Sequence, residues 1–185
     1  MPTDEERGKI LLPIARAAIA RALDVPLSAD ESAAWLSELG ACFVTLTQEN
    51  ELRGCIGTLR AHRSLLDDVK SNAVSAALRD PRFAPLRAEE LDITAIEISL
   101  LSPIQAMDIR NETDALSQLR AGIDGIVFEY GPRGSTFLPQ VWEQLPQPRE
   151  FMAQLKRKAG LPGDFWADGI RLSRYTVTKW REQDY

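Results

Sequence analysis

The chain has 185 residues, 44% hydrophobic and 26% charged, the composition of an ordinary folded protein. Its net charge of −5 gives no general attraction to phosphate backbones or anionic membranes and argues against nucleic acid as a partner. No apolar run approaches the ~18 residues of a membrane span, the charged start MPTDEERGK lacks a secretory signal's core, and two cysteines make no disulfide scaffold, so a reduced, cytoplasmic protein is expected.

Thr3 and Glu6 form a capping box, after which Leu11, Leu12, Ala15, Ala18, Ile19 and Ala22 recur on one helical face. Pro13 interrupts this pattern. Either the helix bends there, or its regular part begins near Leu12. A short helix through Trp35 and Leu39, ended by Gly40, is expected next. Residues 41–59, ACFVTLTQENELRGCIGTL, read as a β-hairpin with strands 41–47 and 52–58 around Glu49-Asn50. That turn sets Val44 opposite Cys55 and Cys42 opposite Gly57. Arg53, Cys55 and Gly57 then share one face, and Leu52, Gly54, Ile56 and Thr58 the other, unless a bulge at a glycine alters the register.

Ser64 and Asp67 open a second helix, with Leu66, Val69, Ala73, Ala76 and Ala77 at apolar positions and Asp80-Pro81 as its stop. LDITAIEISLLSPI gives a half-buried strand, with Ile96, Ile98 and Leu100 on one face and Ala95, Glu97 and Ser99 on the other. A short helix from Asn111 to Leu119 stops at Gly122. GIVFEYGPRGSTFLP is a second hairpin around Gly131 to Gly134, with Phe128 facing Phe137. A helix over 148–159 and a last strand from Ile170 to Trp180 complete the pattern. The class is α+β, an antiparallel sheet built from hairpins with flanking helices. A single domain over 1–185 is expected, formed as two lobes around a cleft, with a smaller lobe inserted or appended.

Among residues that carry chemistry, Cys55 stands out because a thiolate is a strong nucleophile and a neighbouring cation such as Arg53 would lower its pKa. The alternative is a small hydrophobe buried in a strand. His62, the one histidine, follows the strand in a loop and pairs poorly with Cys55. Glu97, a carboxylate on a half-buried strand, wants a cationic partner, for which Arg53 is the obvious candidate; a water-facing sheet is the other reading. No CxxC, phosphate-loop or dinucleotide motif occurs, so no metal or cofactor is implied. Lys156, Arg157 and Lys158 match the cations that a helix C-terminus attracts.

CFVTL…LRGCIGTL, DPRFAPL, IEISLLSP, GIDGIVFEYGPRGSTFLPQVW and KRKAGLP follow in this order. Together they resemble the AMMECR-type domain, also called AmmeMemoRadiSam system protein A. The resemblance runs from about Ala15 to the last strand. Pro13, and Ala41-Cys42 where a Gly-Val pair is common, depart from the family pattern. The resemblance implies an α+β fold of two lobes, an undetermined biochemical activity, and a pathway shared with a Memo-like protein and a radical SAM protein. It also implies a functional RGCIG segment, Arg53 to Gly57.

Three functions compete. A binding or accessory module would hold a small anionic ligand, or a partner, with Arg53, Gly54, Gly57, Thr58, Arg82, Phe83 and Gln140; the glycines permit close approach, or else serve packing. A cysteine-dependent enzyme would use Cys55 as nucleophile and Glu97 as acid or base. An RNA-associated protein is disfavoured by the acidic charge. Two geometric expectations follow. Arg53 should pair with Glu97, and Cys42 and Cys55 should lie on one side of the hairpin, roughly 7–8 Å apart.

Overall fold

Contacts in the computed structural model, which describes residues 2–185, divide the chain into two units. The first takes the residues up to Leu101 together with Thr178–Tyr185. The second, Ser102–Val177, is inserted between them.

In the first unit Thr3 Oγ1 accepts from the Glu6 N–H at 3.2 Å while the Glu6 carboxylate accepts from the Thr3 N–H at 2.7 Å. This reciprocal cap starts helix α1 (Asp4–Ala22), which continues through Pro13. The expected helix through Leu39 is shorter, a 3-10 turn over Ala34–Ser37. The backbone extends after it because Leu39–Gly40 (β1) pairs with Arg63–Ser64 (β4). Strands β2 (Cys42–Gln48) and β3 (Glu51–Gly57) join through Glu49-Asn50, both at positive φ (51° and 66°), as the tight turn favoured by twisted hairpins requires.

The hairpin register departs from the expected one. Thr47 opposes Leu52, but Leu46 opposes Gly54, so Arg53 is one residue too many and forms a β-bulge. Cys55 therefore stands opposite Thr45 instead of Val44, and Gly57 opposite Phe43 instead of Cys42. Ser64 caps helix α2 (Leu65–Leu78), its hydroxyl accepting from the Asp67 N–H at 3.1 Å. Strand β5 (Ala95–Leu101) pairs with the other edge of β2, and β10 (Val177–Arg181) completes the order β10-β5-β2-β3. Cys42, Val44, Leu46, Ile96 and Ile98 bury the inner face against Leu11, Ile14 and Ile19 of α1 and Val69, Ala73 and Ala76 of α2. Period-2 alternation leaves Thr45, Cys55 and Glu97 on the outer face.

The second unit carries β6 (Gln105–Ala106), α3 (Glu112–Gln118), β7 (Gly125–Tyr130), β8 (Arg133–Phe137), α4 (Pro148–Lys158) and β9 (Arg171–Tyr175). Its antiparallel sheet has the order β6-β9-β7-β8. The turn between β7 and β8 is only Gly131-Pro132, so Phe128 opposes Ser135, not Phe137, whose partner is Ile126. Trp142 stacks on Phe151 at 3.8 Å between ring centroids, within a core that includes Phe128 and Leu155. Lys156 is more than a dipole-matched surface cation. It is fully buried, 2.5 Å from Glu112 and 5.4 Å from the Trp166 ring centroid.

The single last strand expected over 170–180 is broken at Thr176 into β9 and β10, which belong to different sheets. Thr176 instead exchanges two 2.9 Å hydrogen bonds with Ser102. Among the described residues no helix is long and apolar enough to cross a membrane.

Candidate functional site

Three strands place Cys55, Thr45 and Glu97 in one cross-strand row on the outer face of the first unit's sheet. The Cys55 Sγ is 3.3 Å from Thr45 Oγ1. Two strand spacings put the Cys55 and Glu97 backbones about 10 Å apart. The Glu97 carboxylate turns to the edge strand, accepting from Arg181 Nε at 2.6 Å with Lys179 Nζ at 3.2 Å. Beside this pair lies a polar depression of about 240 Å³ bordered by Thr47, Asn50 and Gln183.

Arg53 does not reach Glu97, which corrects the expected ion pair. Its Nη1 donates to the Ala84 carbonyl at 2.9 Å and its Nη2 lies 3.3 Å from Glu90 Oε1, leaving the side chain only 14% exposed. The bulge is the cause, since an extra residue leaves the strict alternation and aims its side chain along the sheet edge. Glu90 gathers the connection before β5. Its carboxyl is held below the usual range first by the Arg87 N–H, then by Gln48 and Arg53. Arg53 is thus committed to holding residues 84–90.

The cation beside Cys55 is Arg82. Asp80, buried at the end of α2, accepts from the Cys55 N–H at 2.9 Å, from the Arg82 N–H at 3.1 Å, and from Arg82 Nε and Nη2 at 3.0 and 2.7 Å. The Arg82 guanidinium, above all, holds the Asp80 carboxyl well below the usual carboxylate range. Asp80 in turn raises the Arg82 pKa, with nearby Cys55 a lesser contributor. Arg82 Nη2 also donates to the Cys55 carbonyl at 3.4 Å, and the guanidinium carbon sits 5.5 Å from the Phe83 ring centroid. Despite these ties the Arg82 side chain is 54% exposed. It is a preset cation at the surface.

The two glycines serve packing within the unit. A Cβ on Gly54 would stand 2.2 Å from the Ala76 carbonyl oxygen, and one on Gly57 would stand 2.2 Å from the Phe43 ring. Space expected for a ligand is occupied by the protein itself at both positions. Thr58 belongs to a buried network, its hydroxyl donating to Asp68 at 2.7 Å. Asp68, fully buried, also accepts from the Cys42 N–H, Arg63 Nε and Asn72 Nδ2. Gln140 lies in a 3-10 turn, Pro139–Glu143, of the second unit. His62 Nδ1 is 3.1 Å from the Arg60 carbonyl, in an exposed loop as expected.

Asp80, Asp68, Asn72 and Thr45 are residues that the sequence reading passed over. A signal existed for two of them: Leu65, Asp68, Val69, Asn72, Ala73 and Ala76 follow helical spacing, so Asp68 and Asn72 fall on the buried stripe. Polar groups on such a stripe must find partners. Asp80 looks from sequence like a helix stop, and nothing local shows that Cys55 completes it.

The bulge also separates the two thiols. Cys42 faces the helices and Cys55 the opposite side of the sheet, so they do not share a face as expected, and both are free. Burial, with a further contribution from Asp68, pushes the Cys42 thiol far up, which suppresses its thiolate. An aromatic disulfide reagent is expected to titrate one thiol of the native protein quickly. Cys55→Ser should abolish this phase and Cys42→Ser leave it intact. If no thiol reacts before unfolding, Cys55 is a packing residue.

The chain is similar to proteins from archaea. It is 36% identical to a Methanothermobacter thermautotrophicus protein over 98% of this chain and 97% of that protein. It is likewise 36% identical to a Methanocaldococcus jannaschii protein, over 79% of this chain and 75% of the other. The crystal structure of an uncharacterized Pyrococcus horikoshii protein matches with a TM-score of 0.83 and 31% identity, covering 95% of this chain and 91% of that one. The AMMECR1 family model matches residues 12–180. With both lines of likeness spanning nearly the whole fold, this chain belongs to the AMMECR1 family.

Proposed function

We propose that this protein is a binding module whose site is the outer rim of β3, where Arg82 presents a fixed guanidinium over Phe83 and beside Cys55 to a small anionic ligand. The observation that carries this reading is the geometry of Arg82. Asp80 clamps Nε and Nη2, so the planar group is oriented before any ligand arrives, while half of the side chain remains exposed. A preoriented guanidinium loses less side-chain entropy on gripping a carboxylate or phosphate. In this role the protein is an accessory to a Memo-like and a radical SAM protein, which are the partners proposed for it.

A cysteine-dependent reaction has less support. The Cys55 thiol has a hydroxyl, Thr45, as its hydrogen-bond partner, and the Glu97 carboxylate is held by Lys179 and Arg181. Titration with inorganic phosphate and with malonate, followed by backbone amide shifts, tests the binding reading. Saturable shifts are expected at residues 54–57, 80 and 82–84, and Arg82→Gln should weaken the binding about tenfold, the loss of one charge-assisted contact. Shifts absent at those residues, or an unchanged affinity in Arg82→Gln with its fold intact, would refute it.

A further inference from the structure

Pro13 has no part in the site described above, yet it borders a cavity. A space of about 320 Å³ opens on the first unit between α1, the Leu27-Ser28 segment and the turn that begins at Glu182. That volume is within the range of small-molecule sites. Leu12, Pro13, Leu27 and the Tyr185 ring supply apolar walls. Leu27 and Tyr185 are 45% and 51% exposed, so large apolar side chains remain in water at the rim. Burial of such surface is the driving force that a ligand would release.

The charges around the cavity are already neutralised. Arg16 makes two 2.6 Å bonds to the Glu182 carboxylate and donates further to the Leu91 and Thr94 carbonyls. Glu182 also accepts from the Ile96 N–H at 2.8 Å. Lys9 is paired with Glu5. An ionic ligand would have to break one of these pairs. A neutral one would not.

Ser28 and Tyr185 bring hydroxyl groups to the lining, and Pro13 brings a further polar feature. It has no N–H to donate to the carbonyl four residues earlier, which is that of Lys9. Lys9 and Pro13 both line the cavity. The helix thus interrupts its own hydrogen-bond ladder between two residues that line the cavity, and the Lys9 carbonyl loses its usual donor. The proline ring adds a flat apolar face and the Tyr185 ring, with Lys9 Nζ 5.8 Å from its centroid, an aromatic one; both suit an aromatic plane.

We infer that this cavity binds a small, uncharged aromatic molecule carrying one hydrogen-bond donor, its ring against Pro13 and Tyr185 and its N–H or O–H on the Lys9 carbonyl. The site is separate from Arg82 and stands whether or not the anion reading holds. Indole and 1-methylindole, which lacks the donor, are the probes, and amide shifts and thermal melting are the readouts. Indole at millimolar concentration is expected to shift Gly8, Lys9, Leu12 and Tyr185 and to raise the melting temperature. 1-Methylindole should bind two- to tenfold more weakly, the usual net worth of one hydrogen bond. Pro13→Ala restores an N–H for Lys9, so the variant should melt higher than the native chain while binding indole at least severalfold more weakly. A fold defect cannot produce those opposite signs. Failure of indole to shift the cavity residues, or equal indole affinity in Pro13→Ala, overturns the proposal.

Discussion

Gly54→Ala is expected to cost more than ~3 kcal/mol, enough to leave the chain largely unfolded if its stability is at the low end of the usual range. The added methyl would stand 2.2 Å from the Ala76 carbonyl oxygen and 3.1 Å from its carbon. Both atoms belong to the backbone of α2, which cannot rotate aside as a side chain can. Relief requires moving either β3 or a helix whose Val69, Ala73 and Ala76 are in the core. Gly57→Ala meets the same distance against the Phe43 ring, a partly exposed side chain that can turn, so its cost should be smaller. Gly134→Ala meets only ordinary contact at 3.4 Å and serves as the control. Urea unfolding at pH 7 orders the three. A Gly54→Ala chain within 1 kcal/mol of native would show that the helix and strand are not in fixed contact.

The second large effect is expected at Asp80. Asp80→Ala removes the acceptor of the Cys55 N–H and the clamp on Arg82 together, a loss on the order of 2–4 kcal/mol. The pH dependence has a definite sign. The folded-state pKa of Asp80 lies below its unfolded value near 4, so the unfolded chain binds more protons through that range. Its contribution is therefore complete above the unfolded pKa and is lost as the pH falls below about 4 toward the folded value. Urea unfolding between pH 5 and pH 2.5 should show native stability falling, and Asp80→Asn should make that fall shallower. Glu90 and Asp114, also lowered, leave a residual slope. An identical slope in Asp80→Asn would mean that the carboxylate is not preferentially stabilised by folding. Because Arg82 is positioned by Asp80, the same variant should also loosen the anion contact proposed for it.

Local signals carried much of the fold. Thr3 and Ser64 cap their helices because each side-chain oxygen can satisfy an N–H that the first turn leaves unpaired. Glu49-Asn50 turns the first hairpin, and the alternation of Ile96 and Ile98 against Glu97 tells which side of β5 is buried. These are interactions between residues a few positions apart, so the order of residues suffices to read them.

The candidate site was less legible, and one residue explains most of the difference. The bulge at Arg53 shifts the pairing by one, which turns Cys55 away from Cys42 and toward Thr45. Sequence pattern pairs Arg53 with an anion and with Glu97. The structure gives it Glu90 and the Ala84 carbonyl instead, and brings Arg82 to Cys55 through Asp80. Sequence alone determined the family, the α+β class, the helix starts and the position of the first hairpin. Tertiary structure alone decided which cation meets the thiol, what fills the space above each glycine, and where the last strand divides between two sheets. A cap or a turn closes within a few residues, whereas an ion pair, a bulge or a glycine contact depends on which distant backbone arrives beside it.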